Sequence, residues 1–205
     1  MSSASLRKLA DEAATCTRCE LYRRATATVF GEGRAGASLV LVGEQPGDQE
    51  DKQGHPFVGP AGRLLDDALR DSGISRQDAY ITNAVKHFKW QPRGKRRIHQ
   101  RPNGTEVTAC RHWLEGELAT VGPKVVVALG ATAGTALFGS RFRVGEHRGH
   151  VEDASLGDWH GLVVSTIHPS AVLRAPDPEA RESAYAGFVG DLTTAGRAAA
   201  GADSR

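Results

Sequence analysis

The sequence holds no apolar run approaching the ~20 residues that a membrane-spanning helix needs. Its opening stretch, "MSSASLRKLADEAA", is polar with a helical pattern and carries no apolar signal-peptide centre, so a cytoplasmic or nucleoid-associated protein is expected. Cysteine is scarce: three residues in 205 argue against a disulfide framework and leave metal binding open. Net charge is nearly absent as well, at a formal +2, so attraction to nucleic acid would have to rest on where charge is concentrated. There are no heptads and no internal repeat, which favours a monomer. The phosphate-cradling pattern G-x-x-x-x-G-K-S/T is missing, and "VVVALGATAG" lacks the G-x-G-x-x-G spacing of a dinucleotide turn. Gly130 and Gly134 are read there as helix–strand packing. What remains, 40% hydrophobic and 24% charged residues, is the composition of one soluble domain with its own core, expected over residues 1–197 with a frayed tail at 198–205.

Four short β-branched runs are present: Ser38–Glu44, Ala79–Ala84, Lys124–Gly130 and Gly161–Pro169. Their length and composition predict buried strands of a mostly parallel sheet. Between them lie helical patterns. In "AGRLLDDALRDSG", Leu64, Leu65, Ala68 and Leu69 share one face and Gly73 offers a stop. "TEVTACRHWLEGELATVG" predicts a helix with Thr105 as N-cap and Gly122 beyond its end, and a last helix is expected from Pro178 to Ala195. Strands alternating with helices imply right-handed crossovers, hence an α/β fold: a three-layer α/β/α sandwich around a central, mainly parallel four-stranded sheet. Ligands of such sheets bind beyond the carboxyl ends of the strands. Three of the four strands end there in chemically able residues, "GEQPG", "TNAVKH" and "IHPS".

Cys16 and Cys19 form a C-x-x-C, and Cys110 lies on the helix after the basic stretch. Three thiolates lack a fourth partner, for which His87 and His112 both qualify; spacing alone leaves zinc and an iron–sulfur cluster open. The stretch from Lys86 to Arg101 contains Lys86, Lys89, Arg93, Lys95, Arg96, Arg97 and Arg101 with no acid, and Phe88 and Trp90 are interleaved. Concentrated cations with aromatics suit a nucleic-acid backbone and exposed bases. Within it, "RGKRRIHQRP" reads as a basic loop containing one histidine, His99, which adds no charge at neutral pH.

Taken together, "CTRCELYRRAT", "GEQPGDQED", "PFVGPAGRLLD", "TNAVKHFK", "KRRIH", "ACRHWL", "VVVALGATA" and "HPS" resemble the uracil-DNA glycosylase superfamily, in its iron–sulfur, family 4-like branch. "GEQPG" in place of "GEAPG", His87 at the position of a cluster cysteine, and the added "KRRIH" segment make the sequence most similar to the UdgX class. The resemblance implies a 4Fe–4S cluster held by Cys16, Cys19, His87 and Cys110, with His112 set aside. It also implies that Phe57 stacks on uracil, Asn83 reads it, His168 hydrogen-bonds the departing base, and Gln45 and Asp48 shape the pocket. Lys95, Arg96 and Arg97 would grip phosphates, and Leu173 and Arg174 would face DNA.

The resemblance further implies excision of uracil from DNA, single-stranded by preference, with His99 attacking the sugar C1′ and staying joined to it. Glu44 would orient His99 and take its proton. Two alternatives stand beside this: a turnover glycosylase that releases free abasic DNA, and a non-catalytic, metal-containing protein that grips single strands.

Overall fold

A computed structural model describes residues 3–201. The chain begins with α1 (Ser3–Ala13), makes a 3-10 turn at Glu20–Arg23, and enters β1 (Glu32–Gly33) and β2 (Leu39–Gly43). There follow α2 (Asp48–Gln53), α3 (Pro60–Asp71), β3 (Ala79–Asn83), β4 (Trp90–Arg93), β5 (Arg96–His99), α4 (Gly104–Val121) and β6 (Val125–Leu129). The remainder is α5 (Ala131–Phe138), α6 (Val144–His147), β7 (Val151–Leu156), β8 (Trp159–Thr166), α7 (Pro169–Leu173) and α8 (Pro178–Gly201).

The four expected strands are the parallel centre, β3-β2-β6-β8. The sheet has six strands rather than four, because β1 and β7 add antiparallel edges. An edge strand faces water along much of its length and needs no apolar run, and β7, "VEDASL", is mostly exposed or half-exposed. Alternation along each central strand separates two cores. Val40, Val42, Val126 and Ala128 pack with Leu114 and Leu118 of α4 and Ala133 of α5. Leu39, Leu41, Val125 and Val127 pack with Leu65 and Leu69 of α3 and Phe188 and Leu192 of α8. Each such leucine, taken out of water, contributes on the order of 2 kcal/mol.

Three boundaries differ from expectation. The N-cap of α4 is Asn103, not Thr105: its side chain accepts from the Glu106 amide while Glu106 accepts from the Asn103 amide, a reciprocal pair that Thr105 could not form. Helix α8 continues past Ala195 to Gly201, held by buried Ala199, so residues 198–201 are helical and the rest of the expected tail lies outside the described residues. The basic segment is no loop. Trp90–Arg93 pairs with Arg96–His99 as an antiparallel hairpin, turned by Gly94 at φ 59°, the first central position of a two-residue turn, where glycine is favoured. Among the described residues no helix is long and apolar enough to cross a membrane.

Candidate active site

The register of the parallel centre brings the chemical residues to one edge. Gly43 lies beside Asn83, and Leu129 beside Thr166, so Glu44, Asn83, Gly130 and His168 all emerge at the carboxyl ends of neighbouring strands. A side chain at Gly43 would collide with both Asn83 Oδ1 and the Phe57 ring edge, so glycine is what lets these two groups meet. Asn83 is 2% exposed, and its Oδ1 is buried without a hydrogen-bond partner. Orphaned buried acceptors are rare and costly, and this one suits a ligand N–H.

Phe57 is held under strain. Its φ is 56°, in the left-handed region that costs a bulky residue about 1–3 kcal/mol. Helix α3 clamps it there: a Cβ at Gly62 would strike the Phe57 carbonyl. The buried Glu50 carboxylate accepts from the Gly47 and Gly59 amides at 3.1 and 2.7 Å, tying the loop after β2 to the loop that carries Phe57. The Phe57 and His168 ring centroids are 6.1 Å apart.

His168 has its tautomer written in its contacts. Its Nδ1 accepts from the Ser170 amide at 3.1 Å, so the ring proton sits on Nε2. Burial first, then Arg174 and His99, push its pKa down to about 4. Near neutral pH it is therefore an uncharged imidazole with one N–H to donate, suited to a developing anion.

His99 ends β5, half-exposed at the same edge. Its Nε2 is 3.3 Å from Glu44 Oε1. Burial holds the imidazole below its usual pKa; Glu44 opposes that shift and Arg174 reinforces it. The other Glu44 oxygen, Oε2, accepts from the Thr132 hydroxyl at 2.5 Å and lies 3.9 Å from Arg101. Thr132 is a residue that sequence reasoning missed, since a threonine early in a helix carries no distinctive pattern.

The hairpin is bound to the body by polar side chains. Gln45 accepts from the Lys89 amide and donates to the Lys89 and Gln100 carbonyls, so its amide holds both sides of the hairpin base. Arg97, expected to grip phosphate, is instead committed inward. It pairs with Asp48 at 2.5 Å and buried Asp51 at 2.6 Å, with its guanidinium 5.4 Å from each of the Phe88 and Trp90 rings. Asp48 meets Arg97 and Lys52, whose hydrogen bonds lower its pKa. Lys86 is also internal: fully buried, it pairs with Glu117 at 2.5 Å and donates to the Asn83 carbonyl. Lys89 pairs with Glu106. Arg93, Lys95 and Arg96 stay exposed, without an ion-pair partner among the described residues. Arg174 is exposed and Leu173 half-buried, at the end of α7.

Among the described residues, no group of three or more His, Cys, Asp or Glu side chains forms a ready single-ion site. The residues nonetheless fit a larger soft group, whose ligands stand further apart than those of one ion. His87 is 4% exposed with Nδ1 unpartnered, and Nε2 is 2.9 Å from the Thr28 hydroxyl. Burial pushes the Cys110 thiol up to about 11 and also raises Cys19, and each is raised further by its neighbouring cysteines, so the three sulfurs share one locality. The Lys86 amide and the Trp113 indole donate to Cys110 and Cys16, both at 3.2 Å. His112 is exposed, with its ring centroid 4.9 Å from that of Trp113.

An unsatisfied amide, a neutral histidine donor and a clamped aromatic therefore meet at the strand ends of an α/β domain. Residues 30–192 match the family described as "Uracil DNA glycosylase superfamily". The chain belongs to the uracil-DNA glycosylase superfamily. It is 42% identical to the type-4 uracil-DNA glycosylase of Thermotoga maritima, over 81% of this chain and 82% of that protein. It is 38% identical to the type-4 enzyme of Pyrobaculum aerophilum, over 83% and 86%, and 35% identical to that of Archaeoglobus fulgidus, over 84% and 85%.

Proposed function

We propose that this protein excises uracil from DNA and, as the UdgX resemblance implies, captures the resulting sugar on His99. The observation that carries excision is the buried, unpartnered Asn83 Oδ1 beside Phe57. It suits the uracil N3–H, with the amide nitrogen free for O4, once the base has been taken out of any stack. The bond from C1′ to the base breaks with its electron pair going to the base, and the sugar gains oxocarbenium character. The Nε2–H of His168 stabilises the oxygen on which that negative charge gathers.

Capture is supported by the placement of His99 against Glu44 at the same edge. One ring nitrogen gives its lone pair to C1′, and the other passes its proton to Glu44, leaving a neutral N-substituted imidazole. Reversal would expel a strongly basic imidazolide, so the bond persists. A turnover glycosylase is the second reading, favoured by the identity to enzymes named as type-4 glycosylases; water then attacks C1′. Single-strand preference, a monomeric state and a cytoplasmic location belong to the same proposal. Cys16, Cys19, His87 and Cys110 would hold a 4Fe–4S cluster, which when bound would cross-link the N-terminal segment, the approach to the hairpin and α4.

Incubation with a uracil oligonucleotide followed by strongly denaturing electrophoresis tests the chemistry. A shifted band that forms only with uracil supports capture, and His99→Ser should abolish it while letting water complete turnover. Free abasic product beyond one equivalent of wild-type protein, with no shifted band, establishes the turnover reading instead.

A further inference from the structure

A cleft of about 350 Å³ opens between the 3-10 turn at Glu20–Arg23 and the base of the hairpin, lined among others by Arg24, Phe88, Lys89, Trp90, Gln100 and Arg101. Asn83, Phe57 and His168 take no part in it. We infer that this cleft binds a nucleotide of the DNA strand flanking the excised uridine, with its phosphate at Arg24 and Arg101 and its base against Trp90.

The charge points to an anion. Lys89 is neutralised by Glu106 at 2.8 Å, and Glu20 on the rim is neutralised by Arg23 at 2.7 Å. Arg24 is exposed and has no ion-pair partner among the described residues, and Arg101, though its Nε donates to Thr132 at 3.3 Å and lies 3.9 Å from Glu44, keeps most of its side chain exposed. The surplus is therefore cationic and sits at the rim. The surface points to a base: Trp90 is half-buried and fixed, its indole N–H donating to the Arg24 carbonyl at 2.9 Å, so a stacking ring is presented without the cost of ordering it. Continuity points to the same strand. Gln100 and Arg101 line the cleft, and they also reach the site, through the His99 carbonyl at 3.0 Å and the Glu44 carboxylate. A cation–aromatic cleft joined to a base pocket in this way matches how single strands are held.

The inference rests on the DNA reading, and the test separates the two. The probes are labelled oligonucleotides carrying 2′-fluoro-deoxyuridine, whose glycosidic bond resists cleavage, extended on one side or the other. Extension on one side should tighten binding to the wild-type protein about tenfold, the value of one stacked base and its phosphate. Arg24→Gln, which keeps the carbonyl that anchors Trp90, should lose a large part of that gain and lower the salt slope by about one unit. Trp90→Ala should lose most of it. An equal gain in wild type and Arg24→Gln, or no gain on either side, overturns the subsite. If the wild type fails to prefer uridine over thymidine strands, it is the glycosylase reading that falls.

Discussion

The pocket and the hairpin are built by opposite means. Asn83, Phe57 and His168 are set by backbone: a parallel register, glycines that admit close approach, a strained φ and a helix packed on it. His99 is set by side chains: Gln45 at the hairpin base, Arg97 in its two carboxylates, and Glu44 across from the imidazole. A site assembled from sheet and packed core resists local change. The nucleophile that we propose sits on a strapped hairpin, and it should move when its strap is cut. Excision and capture should therefore be separable by mutation, and the following outcomes break or sharpen that division.

The largest effect is expected in the pocket. His168→Ala removes the donor that the proposed mechanism aims at the departing base, and uracil release should fall about 10²–10³-fold, the usual cost of losing one such donor. Adduct should fall with it, since capture needs the sugar cation first. Single-turnover assays that follow uracil and adduct together check this; adduct forming at full rate without the donor would unlink the two regions in the wrong order.

Cutting the strap should act on one side only. Arg97→Met leaves the hairpin without its clamp and buried Asp51 without its cation. Because an error of about 1 Å at a nucleophile can cost about a hundredfold, adduct should fall by that order while uracil release stays near the wild-type rate. Equal loss of both would show that the hairpin also shapes the pocket.

Acid should separate the two histidines by about tenfold for each pH unit. His168 stays neutral down to about pH 4, so excision persists under mild acid. His99 also titrates below its usual value, but by a shift that Glu44 opposes. Once protonated it has no lone pair for the proposed attack on C1′. Between the two transitions uracil should be released with water, not His99, taking the sugar, read as free abasic ends replacing the shifted band. Adduct and uracil declining together with falling pH would deny the division.

The same contrast governs what was legible in the sequence. Backbone-built features were: the four β-branched runs mark the central strands, and "GEQPG", "TNAVKH" and "IHPS" mark their ends. Side-chain-built features were not. "WQPR" and "RRIH" have no apolar alternation, so the hairpin read as a loop, although Gly94 marks its turn. Arg97 and Lys86 read as cations for DNA because Asp48, Asp51 and Glu117 reach them only across the fold. The edge strand β7 is polar, and Asn103 outcompetes Thr105 through a bond visible only in three dimensions.

The smallest expected effect tests the division at its finest point. Thr132 donates to Glu44 Oε2, leaving Oε1 to face His99 Nε2. Thr132→Val keeps the shape and removes the hydroxyl, which also accepts from Arg101 Nε at 3.3 Å, so Oε2 is left with Arg101 at 3.9 Å while Oε1 still faces His99. Of the two hydrogen bonds lost, the one to the Glu44 carboxylate bears on His99, and adduct formation should slow about threefold to tenfold. Uracil release should hold, because the Thr132 hydroxyl bonds to Glu44 and Arg101 and not to Asn83 or His168. Thr132→Ser should restore the adduct rate, which a merely packing role for the side chain would not. If Val and Ser variants both match wild type, the orientation of Glu44 does not limit capture; if both slow uracil release, strap and pocket are one structure rather than two.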